Sequence, residues 1–202
     1  MSEVVKTSAQ SRSKTLQWIS GNRYLSYDEM CNNAEIVYVT MVYEYGWTPE
    51  AVCGMLGNLQ RESTINPAIW EGLVVADSSG FGLVQWTPST NYTNWADRMG
   101  VDINNGSLQL FWIATQTTTY GQWIETDEYP VSFEAFYTST ASPEYLASVF
   151  LKNFERAGVE AESERQDNAR MWYDYLLSIY QPETPTKPKK KKMPVWMMCR
   201  HF

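Results

Sequence analysis

The feature that most constrains this chain is an apolar helical segment that ends on a carboxylate. Thr48-Pro49-Glu50 predicts a helix start, with proline at the first helical position. Glu62 lies near the end of the segment, directly before Ser63, and the helix is expected to stop at Asn66-Pro67. A charged group at the buried end of an apolar helix calls for a functional explanation, because charged side chains are rarely buried without a partner. The apolar positions of this helix are Val52, Met55, Leu56 and Leu59.

Helical patterns account for most of the remaining chain. Ser26-Tyr27-Asp28-Glu29 is a capping box, from which we expect a helix that ends at Gly46. Thr87-Pro88 predicts the cap of a helix that runs through Trp95 to Gly100. Further helical patterns cover residues 107–124, 132–137, 143–154 and 162–180. The sequence therefore predicts a mainly α domain.

One segment departs from helical spacing. Between Trp70 and Trp86, strand-like Leu73-Val74-Val75 is followed by Ser78-Ser79-Gly80. This pattern favours one small β-hairpin or sheet around residues 70–86.

Changes in composition divide the chain into four parts. We expect an N-terminal arm over residues 1–24 and a single catalytic domain over 25–180. Residues 181–192 form a Pro/Lys linker, and residues 193–202 form a short apolar tail without a core of its own. The basic linker beside Trp196 makes membrane contact of this tail an open alternative to a solvated linker.

Charge and hydropathy exclude several classes. The net charge is −7, and of the 23 acidic residues only Glu183 lies beyond Tyr180, so the main body is acidic and nucleic acid is not an expected partner. No stretch approaches the roughly 18 apolar residues that span a bilayer. No secretory signal pattern opens the sequence.

The chain is poor in cysteine and histidine. Cys31, Cys53 and Cys199 fit neither a disulfide framework nor zinc-ligand spacing. We expect Cys31 and Cys53 to be buried reduced thiols. His201 is the single histidine, which makes Ser–His or Cys–His nucleophiles and histidine metal sites improbable. We therefore expect carboxylate chemistry with no metal and no cofactor.

Glu62 and the segment "GFGLVQW", Gly80 to Trp86, together indicate a glycosidase. A general acid must hold a proton, and the apolar neighbours of Glu62 favour its protonated form. The glycines allow the backbone to approach a sugar closely, and Gln85 offers an amide to its hydroxyl or acetamido groups. Asp77 is a candidate to hold a water on the opposite face of the ring.

These residues resemble the goose-type lysozyme and lytic transglycosylase superfamily, in which a helix-end Glu-Ser precedes a "GFGLVQ"-like turn. More closely, "AVCGMLGNLQRESTINPAIW", "GFGLVQWTPSTNYTNWA" and "LASVFLKNFERAG" resemble the phage tail-tip lysozymes, which are virion-associated peptidoglycan hydrolases. The resemblance covers roughly residues 25–177. It implies a lysozyme-like α+β fold. Some tail lysozymes carry a second, zinc-peptidase module. The few His and Cys residues lead us to expect none in this sequence, with a cut-off second module after the linker as an open alternative.

The resemblance implies roles for individual residues. Glu62 is then the catalytic acid, and Asp77 corresponds approximately to a hairpin carboxylate of goose-type enzymes. Thr87 occupies a position where some relatives keep an acid, and its hydroxyl can orient a water. Glu155, in Phe154-Glu155-Arg156, is expected either in a buried structural ion pair or in the cleft wall. The substrate-binding candidates are Ser63, Trp70, Phe81, Gln85, Trp86 and Tyr92.

The leading functional hypothesis is a muramidase that hydrolyses the β-1,4 bond between N-acetylmuramic acid and N-acetylglucosamine. A lytic transglycosylase would use the same Glu62, but the resemblance implies that such enzymes tend to lack the second carboxylate. Two further hypotheses are a non-catalytic tail-tip protein that binds glycan and an endolysin that acts at host lysis. Bacterial peptidoglycan is the expected partner, with other phage tail proteins as further candidates, and the expected location is the virion tail tip.

Overall fold

The computed structural model describes residues 16–157 and 161–180. This part of the chain contains seven α-helices, and two of them continue into a π-helical turn. The helices are α1 (Tyr27–Val39), α2 (Pro49–Ser63), α3 (Thr90–Met99), α4 (Gly106–Gln116), α5 (Phe133–Tyr137), α6 (Pro143–Phe150) and α7 (Glu162–Ile179). The π-turns are Thr40–Glu44 after α1 and Leu151–Glu155 after α6. The prediction of a mainly α domain is confirmed.

Side chains cap the N-termini of five of the seven helices, and two of these caps are predicted from the sequence. Ser26 and Glu29 form the capping box of α1, and Thr48 caps α2 with proline in its first turn. α3 differs from the prediction, because it begins at Thr90 and not at Thr87-Pro88. α4 also differs, since it ends at Gln116 and the chain then turns so that the Ile124 amide donates to the Asn153 carbonyl at 2.9 Å.

The predicted β-hairpin is not confirmed. The segment contains a 3₁₀ turn at Glu71–Leu73 and two isolated bridges, Trp70 with Phe81 and Phe81 with Trp86. Positive φ angles at Leu73 and Gln85 interrupt the extended backbone, so regular strands do not form between residues 70 and 86.

α2 is the central helix of the domain and packs against α6 and α7. Every residue from Ala51 to Leu59 is buried, so this helix has no solvated face over two turns. Glycines allow the neighbouring helices to approach closely. A Cβ at Gly57 would lie 2.3 Å from the Arg165 carbonyl oxygen on α7, and one at Gly54 would lie 2.8 Å from the Leu146 Cβ on α6.

The described part of the predicted N-terminal arm, residues 16–24, packs on the domain. The Ile19 amide donates to the Asn33 side chain at 2.9 Å, and the Trp18 indole donates to Ser107 at 3.0 Å. Asn22 pairs with the segment that follows α2: its side chain accepts from the Trp70 amide at 3.0 Å and donates to the Leu73 carbonyl at 2.9 Å. The predicted linker and tail, residues 181–202, lie outside the described residues.

Cys31 and Cys53 are buried free thiols, as predicted. Among the helices of the described residues, none is long and apolar enough to cross a membrane.

Replacement of Gly57 by alanine should destabilise the domain, because the new Cβ forces α2 and α7 apart. Overpacking of this kind costs about 1–3 kcal/mol, which exceeds the gain in helix propensity of about 1 kcal/mol or less. Thermal unfolding should show a midpoint several degrees below that of the wild type. Ser163→Ala, at an exposed position of α7, is the control and should leave the midpoint nearly unchanged. A midpoint of Gly57→Ala at or above the wild-type value would contradict the close helix contact.

Candidate active site

A cleft of about 600 Å³ lies at the C-terminal end of α2. Its walls come mainly from the end of α2, the irregular segment after it, and the chain around Gln122 and Glu155, with further contributions from the N-terminal segment and α3. The lining residues are Tyr24, Arg61, Glu62, Ile69, Trp70, Glu71, Gly72, Val84, Gln85, Trp86, Thr87, Asn91, Gln122, Glu155, Arg156 and Ala157.

Glu62 lies in the last turn of α2, where the helix presents it to the cleft. The helix ends immediately afterwards, because Thr64 and Ile65 both adopt left-handed backbone conformations. The Glu62 side chain is 19% exposed, and its Oε1 accepts a hydrogen bond of 2.6 Å from the Arg165 guanidinium of α7. The carboxyl group is therefore fixed from the protein side while the cleft side stays open.

Arg165 is almost completely buried, with 2% of its side chain exposed. It also donates to the Asn58 Oδ1 at 3.0 Å, one turn before Glu62 on α2. Asn58 in turn donates to the Gly54 carbonyl within α2 and to the Ala147 carbonyl of α6, both at 3.0 Å. This series of hydrogen bonds connects α2, α6 and α7 and fixes the position of Glu62.

Glu155 provides a second carboxyl group in the cleft. It is the last residue of the π-turn after α6, it is partly buried, and its Oε1 is inaccessible to solvent without a hydrogen-bond partner among the described residues. Burial and the neighbouring charge of Glu62 raise the pKa of Glu155 well above its usual range, against the opposing effects of Arg165 and Arg156. Burial and the charge of Glu62 thus favour the protonated form of the Glu155 carboxyl group.

Arg156 fixes the wall that carries Glu155. Its left-handed backbone ends the π-turn, and its guanidinium donates to the Gln122 carbonyl at 2.6 Å and the Asn153 carbonyl at 2.8 Å. Burial lowers the pKa of Arg156 from its ordinary value.

The Gly80–Trp86 segment forms the wall on the other side of Glu62, and buried amides hold its irregular backbone. The Gln109 Oε1 accepts from the Leu83 amide at 2.8 Å, and the Gln109 Nε2 donates to the Pro67 and Ile103 carbonyls at 2.7 and 2.9 Å. The Gln85 Nε2 donates to the Ile69 and Gly82 carbonyls at 3.2 and 2.9 Å. These bonds replace the ladder that a regular hairpin would supply.

The cleft brings together five of the predicted site residues: Glu62, Trp70, Gln85, Trp86 and Thr87. Trp86 is nearly buried and stacks on Tyr92 with ring centroids 4.5 Å apart. Thr87 is exposed, and its hydroxyl donates to the Gln85 carbonyl at 2.9 Å.

Four predicted site residues do not line the cleft. Ser63, Phe81 and Tyr92 are fully buried, which does not support direct contact with a substrate. The Ser63 hydroxyl lies between the Leu59 carbonyl and the Leu83 carbonyl, at 3.0 and 2.8 Å, so it joins the end of α2 to the Gly80–Trp86 segment. Asp77 is exposed on a turn, where its carbonyl accepts from Ser89. The pairing of Asp77 with Glu62 thus remains a prediction that this geometry does not favour.

Sequence reasoning gave no role to Arg165, Gln109 or Gln122. Arg165 and Gln122 lie far from the Glu-Ser motif along the chain, and Gln109 sits within a helix as an ordinary polar residue. Within residues 16–157 and 161–180, no group of three or more His, Cys, Asp or Glu side chains is placed to hold a metal ion.

Comparison with known proteins agrees with this geometry. The family model of phage tail lysozymes matches residues 32–176, which include every helix from α2 to α6 and most of α7. The chain belongs to the phage tail lysozyme family. Within the family match lie both cleft carboxyl groups and Arg165.

The chain is also similar to the morphogenesis protein 1 of Bacillus phage B103. The two are 44% identical over 158 residues, which is 78% of this chain and 42% of the relative. The chain thus spans less than half the length of this curated relative.

Replacement of Gln109 by leucine should destabilise the domain by at least about 2 kcal/mol, because it leaves the buried Leu83 amide and two carbonyls without the Gln109 side chain as partner. Denaturant unfolding would measure the loss. Gln116→Leu is the matched control on the same helix, since the partly buried Gln116 side chain donates to the adjacent Thr115 hydroxyl at 3.0 Å and holds no distant backbone group among the described residues. Equal unfolding free energies for the two variants would show that Gln109 does not hold the loop.

Proposed function

We propose that this tail lysozyme is a muramidase that hydrolyses the β-1,4 bond between N-acetylmuramic acid and N-acetylglucosamine in bacterial peptidoglycan. The observation that carries the proposal is the position of Glu62, which faces an open cleft from the end of a buried helix while α7 holds it from behind. Membership of the phage tail lysozyme family supports the same assignment.

Glu62 acts as the general acid in this proposal. Arg165 binds Oε1, which leaves Oε2 to carry the proton toward the cleft. Transfer of that proton to the glycosidic oxygen breaks the bond to the anomeric carbon and releases a neutral sugar hydroxyl. Positive charge then develops on the sugar ring, and the carboxylate left on Glu62 stabilises it.

Water completes the reaction from the cleft. The Thr87 hydroxyl and the Gln85 side chain lie on the wall formed by the Gly80–Trp86 segment, where they can orient the attacking water. The exposed part of the Trp70 ring offers an apolar face to a pyranose. Asp77 has no part in this mechanism, because it lies outside the cleft lining.

A lytic transglycosylase is the second candidate, and the position of Asp77 favours it. Asp77 lies outside the cleft lining, so a water that attacks the sugar directly lacks the carboxylate that the sequence predicts to hold it. In the transglycosylase reaction the muramic 6-hydroxyl replaces water and gives a 1,6-anhydro product. Mass spectrometry of digested peptidoglycan separates the two, because the anhydro product is lighter by one water.

We also propose that the protein is part of the virion tail and acts on the host wall during entry. The family name and the name of the B103 relative, a morphogenesis protein, support this placement. Immunogold labelling of purified virions would test it, and absence of label from the tail would favour an endolysin.

Glu62→Gln should lower the rate of release of reducing ends from purified peptidoglycan by about 10²–10⁴-fold, since the amide cannot donate the proton. Zymography should show clearing by the wild type and none by this variant. Asp167→Asn, at an exposed position of α7, is the matched control and should clear normally. Equal clearing by wild type and Glu62→Gln would refute the assignment of the acid, and absence of clearing by the wild type would leave a glycan-binding tail protein.

Thr87→Ala should reduce kcat more than Asp77→Asn does. Loss of one hydrogen bond to the attacking water should lower kcat about threefold to tenfold, whereas Asp77→Asn should stay within about twofold of the wild type. Steady-state kinetics on a soluble glycan fragment would measure both. A strong loss of kcat in Asp77→Asn with unchanged substrate binding would restore Asp77 as the group that activates water.

A further inference from the structure

The Glu155 carboxyl group is the feature of the cleft that the proposed mechanism leaves without a role. Its Oε1 is buried and lacks a hydrogen-bond partner among the described residues, yet the residue lines the same cleft as Glu62. An unpaired buried polar atom usually lowers the folding stability by about 1–3 kcal/mol. An apolar residue would fill the same space without this loss.

Three charged groups act on Glu155 from the elements packed around it. Glu62 faces it from the end of α2 and Arg165 from α7, while Arg156 follows it in the chain. Arg165 binds Glu62 directly, at 2.6 Å, and makes no such hydrogen bond to the buried Glu155 Oε1. The buried Arg165 guanidinium thus binds one carboxyl group of the pair, while burial raises the pKa of the other.

We propose that Glu155 is a positioning residue that forms a one-proton carboxyl pair with Glu62 and keeps the catalytic proton in the cleft. This inference rests on the proposed muramidase function. The pair begins each cycle with one proton, which the leaving glycosidic oxygen takes through Glu62. The attacking water gives its oxygen and one hydrogen to the sugar, and its other hydrogen returns to the pair. The pair therefore regains the state in which it began.

A purely structural role makes a different prediction. If Glu155 only fills space as a neutral acid, glutamine should replace it fully at every pH, because the amide has nearly the same shape. If Glu155 instead formed a structural ion pair, glutamine should lower stability and reduce activity equally at all pH values. A carboxyl pair predicts a change in the pH dependence alone.

Glu155→Gln tests the pair through the pH profile of kcat/KM. In the wild type, loss of the last proton places two negative charges in the cleft. Because these charges repel each other, the proton is held more tightly and the alkaline limb of the profile lies at higher pH. In Glu155→Gln, only Glu62 remains beside Arg165, and the limb should move to lower pH by about 1 unit or more. The thermal midpoint at pH 5 should stay close to that of the wild type. Glu125→Gln, outside the cleft, should leave the whole profile unchanged. An unmoved alkaline limb overturns the inference.

A second measurement does not depend on catalysis. In protein labelled with ¹³C at the glutamate carboxyl carbon, the Glu155 resonance is assigned by its absence from Glu155→Gln. Its titration midpoint should fall by about 1 pH unit or more in Glu62→Gln, because the negative neighbour is removed. An unchanged midpoint overturns the pair even if the enzyme is a muramidase. Conversely, a wild type inactive on peptidoglycan defeats the proposed function, while a shifted midpoint still supports the pair.

Discussion

The buried guanidinium of Arg165 is the constraint on which the candidate site depends. A cation with 2% of its side chain exposed is stable only with partners, and the protein supplies Glu62 and Asn58 from α2. Gly57 lets the backbone of α7 come close enough for these contacts. The same packing that forms the core therefore sets the position of the cleft carboxyl group, and the two cannot be altered independently.

Buried amide side chains play a comparable role around the irregular segment after α2. Gln109 holds the loop at Leu83, and Asn66 donates to the carbonyls of Gly21 and Arg23 at 2.7 and 2.6 Å. Asn153 donates to the carbonyls of Tyr129 and Val131 at 2.9 and 3.2 Å. Each of these side chains forms hydrogen bonds with several backbone groups at once. Irregular segments are therefore held in place without the hydrogen-bond ladder of a sheet.

The helices and Glu62 could be predicted because their signals are local: caps such as Ser26 and Thr48 precede regular apolar spacing. The hairpin could not be excluded, since positive φ at Leu73 and Gln85 leaves no clear mark in the sequence. The second carboxyl group of the cleft was not predicted for another reason. Asp77 is near Glu62 along the chain but lies outside the cleft, whereas Glu155 reaches the cleft through the packing of α6 and α7 on α2.

Residues 16–24 pack on the domain and contribute to the cleft, although they lie outside the family match. Tyr24 lines the cleft, and Asn22 bridges two backbone positions of the wall that faces Glu62. The family match starts at residue 32, after this segment. A polypeptide shortened to the family boundaries would retain Glu62, Glu155 and Arg165 but would lose residues 16–24, which hold one wall of their cleft. Tension applied at residue 16 would reach the cleft wall by the same route, so that mechanical load on this segment would change the shape of the cleft.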